Sequence, residues 1–127
     1  MLSESTKPTK NSSVMSWLSE HELDLQYVSA VTIGELYYGV ERLKEGRKRQ
    51  ALREWPKLVE EDYAGRIVPL DLVAAACWGR VRVTSLNCQT VDAQLAATAL
   101  AYGFALVTRN VKHFQFDGLQ VINPWET

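Results

Sequence analysis

Three oxygen-bearing side chains have types and positions that could bind a metal ion. Glu35 follows the first predicted strand on a helix, Asp92 lies in the first turn of an apolar helix, and Asn110 follows a late apolar strand. Carboxylates that converge repel each other unless a cation neutralises them, and hard oxygen ligands select Mg²⁺ or Mn²⁺. Because a bound ion can activate water, these residues suggest metal-assisted hydrolysis of a phosphodiester bond.

Each of these residues has a simpler explanation when it is taken alone. Glu35 could be a solvated glutamate on a helix face. Asp92 could do no more than complement the dipole of its helix, an effect worth about 0.3–1 kcal/mol. Asn110 could simply open the turn that follows it. The metal-site hypothesis therefore depends on whether the fold brings the three residues together.

Short apolar strands alternate with helices along the chain, which predicts a three-layer α/β/α sandwich with a short parallel sheet. The predicted strands cover residues 25–29, 66–70, 104–108 and 120–122. Asp71 should cap one helix, Thr90 should begin another that ends before Gly103, and Pro56 should kink or break a third. In such sheets ligands collect at the carboxyl ends of the strands, where the polar candidates are expected.

The composition is that of one ordinary globular domain. The 127 residues are interpreted as a single domain over 1–127, without repeats or linkers. Fourteen Lys and Arg residues stand against fifteen Asp and Glu residues, so no global field attracts nucleic acid or membrane. Two cysteines are too few for a disulfide scaffold, and with His21 and His113 as the only histidines they leave no Cys/His set for structural zinc. No signal peptide or membrane-spanning stretch is evident, and we expect a cytoplasmic protein.

A basic segment occupies residues 42–53, which hold six Lys and Arg residues and one acid, Glu45. The segment could be a solvated helix face or a surface for an RNA backbone. Tyr37 and Tyr38 precede it and could pack in a core or a dimer contact, or stack on bases. An apolar stripe that could receive a partner helix comprises Trp17, Leu18, Tyr37 and Val40.

Five segments together resemble a known family in order and spacing. They read VTIGEL at 31–36, GRIVP at 65–69, VDAQLAATA at 91–99, LVTRN at 106–110 and NPW at 123–125. Over about residues 1–125 the chain is similar to PIN-domain toxins of the VapC and FitB type. The resemblance implies a metal-dependent ribonuclease, the toxin of a type II toxin–antitoxin pair, inhibited by a cognate antitoxin and often homodimeric.

The same resemblance implies roles for the three candidate residues. Glu35 and Asp92 match acidic residues that bind Mg²⁺ or Mn²⁺ in this family. Asn110 falls where many relatives have Asp and others have Asn, so it would assist catalysis through water or substrate. The implied catalytic set is therefore Glu35, Asp92 and Asn110, of which the first two bind the metal.

The sequence departs from the family pattern at its start. Relatives of this type begin with an apolar strand that ends in Asp-Thr-Asn and supplies a further catalytic aspartate, and no such strand precedes Leu2. Two interpretations remain open: an active ribonuclease, and a catalytically inactive, truncated PIN-like module that binds antitoxin or RNA. Glu4 and Glu20 are the nearby acids, and both are more simply solvated. A response-regulator-like domain is disfavoured because no predicted strand ends in Asp.

Overall fold

The computed structural model of the chain describes residues 26–84 and 88–124. Several features of the sequence lie outside these residues. They are the helix expected at 13–20, the departure from the family pattern at the start of the chain, and Glu4, Trp17, Leu18 and Glu20. The described elements are β1 (Val28–Ser29), α1 (Ala30–Glu41), α2 (Arg47–Leu52), α3 (Trp55–Asp62), β2 (Ile67–Val68), α4 (Leu72–Thr84), α5 (Thr90–Tyr102), β3 (Leu106–Val107), a 3₁₀ helix (Val111–Phe114) and β4 (Val121–Ile122).

The strands are short and pair in parallel, as predicted. β1 pairs with β2, with Val28 opposite Ile67, and β3 pairs with β4, with Leu106 opposite Val121. Hydrogen bonding continues beyond β3, because the Thr108 N–H donates to the carbonyl of Ile122 at 3.0 Å. Helices join and cover these strands in the predicted three-layer α/β/α sandwich.

Two apolar clusters form the described core. One joins Leu95, Ala96 and Ala99 of α5 to Leu106 of β3 and Phe114 of the 3₁₀ helix. The other consists of Val28, Ile33 and Val59, which join β1, α1 and α3. Helix α5 contributes three residues to the first cluster because its sequence is apolar nearly all round. Such a helix is stable only when neighbouring elements cover it.

Local sequence signals end and begin the helices where they were expected. The Ser29 hydroxyl accepts the Val31 N–H at 3.0 Å and so caps α1. Helix α5 runs from Thr90 to Tyr102, and Gly103 follows it with a φ of 70°, a left-handed conformation that glycine adopts without strain. The predicted break near Pro56 is confirmed, since α2 ends at Leu52 and α3 begins with the proline in its first turn.

A carboxylate joins the start of α4 to the end of α5. Asp71 accepts the Ala74 N–H at 3.0 Å, as predicted for a cap, and also accepts a hydrogen bond from the Tyr102 hydroxyl. These bonds hold the pKa of Asp71 below its usual value, with the tyrosine contributing most. The same carboxylate raises the pKa of Tyr102 above its usual value.

We therefore expect replacement of Tyr102 by Phe to cost stability within a defined pH window. The bond requires ionised Asp71 and protonated Tyr102, so its contribution is complete between their unfolded pKa values of about 4 and 10. It is lost as pH falls through the lowered pKa of Asp71 or rises through the raised pKa of Tyr102. Thermal unfolding from pH 3 to 11 measures this difference, with Tyr38→Phe as control. A Tyr102→Phe deficit independent of pH would contradict the assignment.

No helix in residues 26–84 and 88–124 is long and apolar enough to cross a lipid bilayer.

Candidate functional site

The first turns of α1 and α5 lie on the same apolar cluster. Val31 of α1 and Val91 of α5 are partly buried, and both pack against the cluster that contains Leu106 and Phe114. Helices α1 and α5 also contact each other directly. Because Asp92 follows Val91 and Glu35 lies about one turn after Val31, this cluster supports both predicted metal-binding helices.

Asp92 occupies the first turn of α5, and its side chain is only 18% exposed. Its Oδ2 lies 3.5 Å from Nδ1 of His113, whose side chain is 56% exposed. The N-terminal end of a helix favours a negative charge, since the helix dipole is positive there. The carboxylate therefore stays near the surface with a histidine beside it.

Asn110 is held at the start of the 3₁₀ helix by hydrogen bonds on both sides. Its N–H donates to Oγ1 of the fully buried Thr108 at 3.1 Å. Its carbonyl accepts the N–H of His113 at 2.9 Å. Phe114, the last residue of this helix, is 4% exposed and packs against α5. The 3₁₀ helix thus fixes Asn110 relative to α5.

Glu35 lies on the exposed surface of α1. Within the described ranges its side chain makes no hydrogen bond or ion pair, so nothing there ties it to Asp92 or Asn110. Thr32, three residues earlier, shares its side of the helix. Its side chain is buried, and its hydroxyl finds no hydrogen-bond partner among the described residues. Buried hydroxyls almost always have a partner, so Thr32 is an exception among the described residues.

The structure thus brings two of the three predicted residues together and leaves the third on a neighbouring helix. Asp92 and Asn110 are both in contact with His113. Glu35 lies on α1, a helix that packs against α5. Across residues 26–84 and 88–124, no group of three or more His, Cys, Asp or Glu side chains is close enough to hold a metal ion.

Cys88 lies at the same end of α5 but is poorly suited to nucleophilic chemistry. Burial raises the pKa of its thiol, and the nearby Asp92 carboxylate raises it further. Its Sγ lies 4.0 Å from the carbonyl oxygen of His113, to which the S–H donates. Since the thiolate is the reactive form of cysteine, a raised pKa keeps this side chain inert at neutral pH.

Sequence reasoning left His113 and Thr108 outside the candidate site. His113 faces Asp92, 21 residues away in sequence. The Thr108 hydroxyl accepts the N–H of Asn110, two residues later, which is ordinary loop chemistry for a threonine at this place. The available signal was the three-residue spacing of Asn110 and His113, which matches one turn of 3₁₀ helix.

The basic segment forms an exposed arm around α2, a helix with no buried residue. Arg49 is neutralised locally, because it donates to Glu41 at 3.0 Å and lies 3.7 Å from Glu45. The Arg42 guanidinium lies 5.6 Å from the centre of the Tyr38 ring. The exposed basic side chains of the arm are Arg42, Lys44, Arg47, Lys48 and Arg53.

The apolar stripe suggested as a docking surface is only partly available. Val40 is 5% exposed and belongs to the interior, so its inclusion in the stripe was wrong. Tyr37 is 42% exposed and donates its hydroxyl to Glu60 of α3, which raises the pKa of this tyrosine. Tyr38 and Leu58 are 59% and 54% exposed. The exposed apolar side chains of this region are therefore Tyr38 on α1 and Leu58 on α3.

Comparison with known proteins gives this geometry a family context. Residues 8–119 match the PIN domain family. The chain is 32% identical to the VapC ribonuclease Y4jK of Sinorhizobium fredii, covering 99% of this chain and 94% of that protein. It is also 32% identical to the toxin FitB of Neisseria gonorrhoeae, covering 98% and 94%.

A solved structure agrees with these sequence matches. The structure of FitAB bound to an IR36 DNA fragment superposes with a TM-score of 0.84 at 30% identity, covering 100% of this chain and 97% of that one. The predicted sandwich and the predicted resemblance are therefore both confirmed. The chain belongs to the PIN-domain family, and it is similar to that family's VapC and FitB toxins over nearly its whole length.

Proposed function

We propose that this protein is a divalent-metal-dependent ribonuclease that acts as the toxin of a toxin–antitoxin pair in the cytoplasm. The observation that carries the proposal is that Asp92 and Asn110 both contact His113 at one end of α5, a helix that packs against the helix bearing Glu35. The relatives support it, because one is named a ribonuclease and another a toxin.

The donor chemistry of the site fits Mg²⁺ or Mn²⁺. Glu35 and Asp92 offer carboxylate oxygens and Asn110 an amide oxygen, all of them hard ligands. Mg²⁺ is commonly held by one or two carboxylates and keeps several waters, so a large cluster of protein ligands is not required. We therefore assign Glu35 and Asp92 to the metal.

The proposed roles follow from the positions of the residues. A bound divalent ion would supply an activated water and neutralise charge on the phosphate. Asp92, mostly shielded from solvent, holds a negative charge at a fixed place at the helix end. Asn110, anchored through its backbone on both sides, presents an uncharged amide to water or substrate. Glu35 supplies a second carboxylate from α1.

The test of the proposal is cleavage of a mixed single-stranded RNA by the purified chain. We expect products with Mg²⁺ or Mn²⁺ and none with chelator, and circular dichroism should show a folded protein in both conditions. A folded chain that leaves RNA intact with either metal would instead favour the inactive PIN-like module. That alternative has one structural observation behind it, the absence of a cluster of three metal-binding side chains in the described residues.

We assign the exposed arm around α2 to the RNA backbone. Changing both Arg47 and Lys48 to Glu should weaken binding of single-stranded RNA of any sequence, because fewer counterions are released. Loss of two phosphate contacts would lower the slope of log affinity against log salt by about 1.4. Fluorescence anisotropy in chelator measures both effects. The matched control is Lys57→Glu with Arg80→Glu, two exposed positions outside the arm; equal weakening by both pairs would argue against a dedicated surface.

A cognate antitoxin is the proposed protein partner. The matched structure of FitAB is a toxin–antitoxin complex on DNA. In the present chain, Tyr38 and Leu58 offer an exposed apolar surface between α1 and α3 to which a partner helix could bind. Copurification with the product of a gene adjacent to the coding sequence tests this partner, and failure of Leu58→Asp to weaken the complex would move the contact elsewhere.

We place the homodimer contact on α4. Exposed small and apolar residues follow one another at helical spacing along its outer side: Leu72, Ala76, Gly79 and Val83. Leu72 and Val83 are 84% and 74% exposed, which is unusual for large apolar side chains unless a second surface covers them. Light scattering on the sample used for cleavage gives the mass, and a monomer at working concentration would remove the dimer from the proposal.

A further inference from the structure

His113 stands beside the proposed metal-binding carboxylate without being part of the implied catalytic set. Its Nδ1 lies 3.5 Å from Oδ2 of Asp92. The fold fixes the position of the His113 backbone, because the next residue, Phe114, is buried against α5. On α5, Asp92, Leu95, Ala96 and Ala99 share one side of the helix by their spacing, and the last three belong to the same apolar cluster as Phe114.

A second set of contacts fixes the backbone that carries the imidazole. The His113 N–H donates to the Asn110 carbonyl at 2.9 Å, and the His113 carbonyl accepts from Cys88 at the start of α5. The histidine is therefore tied to both sides of the site through its main chain. Its ring has one defined neighbour in the described structure, the Asp92 carboxylate.

The contact has little value for stability. The histidine side chain is 56% exposed, and exposed ion pairs contribute at most about 1 kcal/mol. Orientation is a different matter, because groups that hydrogen-bond to a ligating side chain fix its direction, and their loss typically lowers metal affinity or activity by about 10–100-fold. Nδ1 of His113, 3.5 Å from Oδ2 of Asp92, is placed to act on the carboxylate in this way, because a ring nitrogen that carries a proton is a donor.

We propose that His113 is a positioning residue that orients the Asp92 carboxylate toward a divalent metal ion. The inference rests on the proposed function and deepens it. It adds to the site a group outside the acid and amide set, supplied by the same 3₁₀ helix that places Asn110. That short helix therefore sets two parts of the site at once, one through Asn110, the residue that caps it, and one through His113, its third residue.

Binding of Mn²⁺ to the purified chain, followed by electron paramagnetic resonance of the free ion, tests the inference without relying on activity. His113→Ala should weaken Mn²⁺ binding by about tenfold and lower kcat for RNA cleavage, with KM for RNA unchanged. His113→Asn should restore binding, because its amide nitrogen reaches the place of Nδ1. His113→Gln should not, because its amide extends past that place. Lys112→Ala, a neighbour on the same 3₁₀ helix, is the matched control.

The coupling to Asp92 supplies a second readout that a general structural role would not give. In an Asp92→Asn background, His113→Ala should cause no further loss of Mn²⁺ affinity, because the carboxylate it orients is gone. Thermal unfolding should show that the single variants remain folded.

The possible failures are distinguishable. If the unaltered chain binds Mn²⁺ and cleaves RNA while His113→Ala equals it in Mn²⁺ affinity, this inference is wrong and the proposed function stands. Equal effects of His113→Asn and His113→Ala would also overturn it. If the unaltered, folded chain neither binds Mn²⁺ nor cleaves RNA, the proposed function fails and the inference fails with it.

Discussion

Asp92→Asn is expected to reduce metal-dependent RNA cleavage by at least about 100-fold while the protein stays folded, on the scale measured when one electrostatic group is removed from an active site. The substitution preserves the size of the side chain and removes its charge. It should cost little stability, because the favourable dipole interaction of one acid at a helix start is worth only about 0.3–1 kcal/mol.

The assay for this variant is initial cleavage rate in Mg²⁺ and in Mn²⁺, with circular dichroism on the same samples. Asp117→Asn is the matched control, because it makes the same chemical change at an exposed turn outside the site. We expect its rate to equal that of the unaltered protein. If Asp92→Asn cleaves RNA at an unaltered rate, Asp92 does not bind the catalytic metal, and the proposed site must be abandoned even though the family assignment holds.

Leu106→Ala is expected to cost about 2–5 kcal/mol of unfolding free energy, the usual range for deleting a large buried side chain. Leu106 is fully buried and lies in the cluster that joins α5, β3 and the 3₁₀ helix. A loss of this size is a large part of the roughly 5–15 kcal/mol that stabilises a typical domain. Because this cluster supports Asp92 and Asn110, the variant should also lose cleavage activity at temperatures where it begins to unfold.

Urea denaturation followed by circular dichroism measures this effect. Leu58→Ala is the matched control, since it deletes the same atoms from a side chain that is 54% exposed and lies outside the proposed dimer contact. Its unfolding free energy should change by no more than about 0.5 kcal/mol. Similar losses of unfolding free energy in the two variants would contradict this prediction. They would show that the buried cluster beneath the site is not a main source of stability.

Much of the fold was accessible from sequence where a local signal specified it. The bounds of α5 were predicted because a segment that is apolar nearly all round the helix begins at Thr90. It is followed by Gly103, a residue able to adopt positive φ. The break before Pro56 followed from the missing N–H of proline. These features depend on residues close together in the chain, so no knowledge of the rest of the fold was needed.

Burial of particular side chains was predicted less well. Tyr37 and Val40 were placed on one stripe by helical spacing, yet Val40 is 5% exposed and Tyr37 is 42% exposed. Leu58 was grouped with apolar residues of its helix and is 54% exposed. Periodicity identifies one side of a helix, but which part of that side meets a neighbour is set by the packing of α1 on α3.

The site shows the same division. Residue types and their order were enough to nominate Glu35, Asp92 and Asn110, because each comes at or just after the start of an element. The contact of His113 with Asp92 was not accessible, since it depends on a four-residue 3₁₀ helix and on the seating of Phe114 against α5. A segment that short carries no periodic signal, and its direction is determined by the core beneath it.

The burial of α5 has a consequence for how this protein can change over evolutionary time. Six of its residues, Ala93 and Leu95 to Ala99, are buried, so a larger side chain at almost any of them would collide with a neighbour. Asp92 lies in the first turn of α5, immediately before these buried residues. Substitutions within α5 are therefore a poor route by which selection could change the rate or RNA preference of the proposed ribonuclease. It has room in the exposed positions Arg109, Val111 and Lys112 around the 3₁₀ helix, where substitutions leave the core intact.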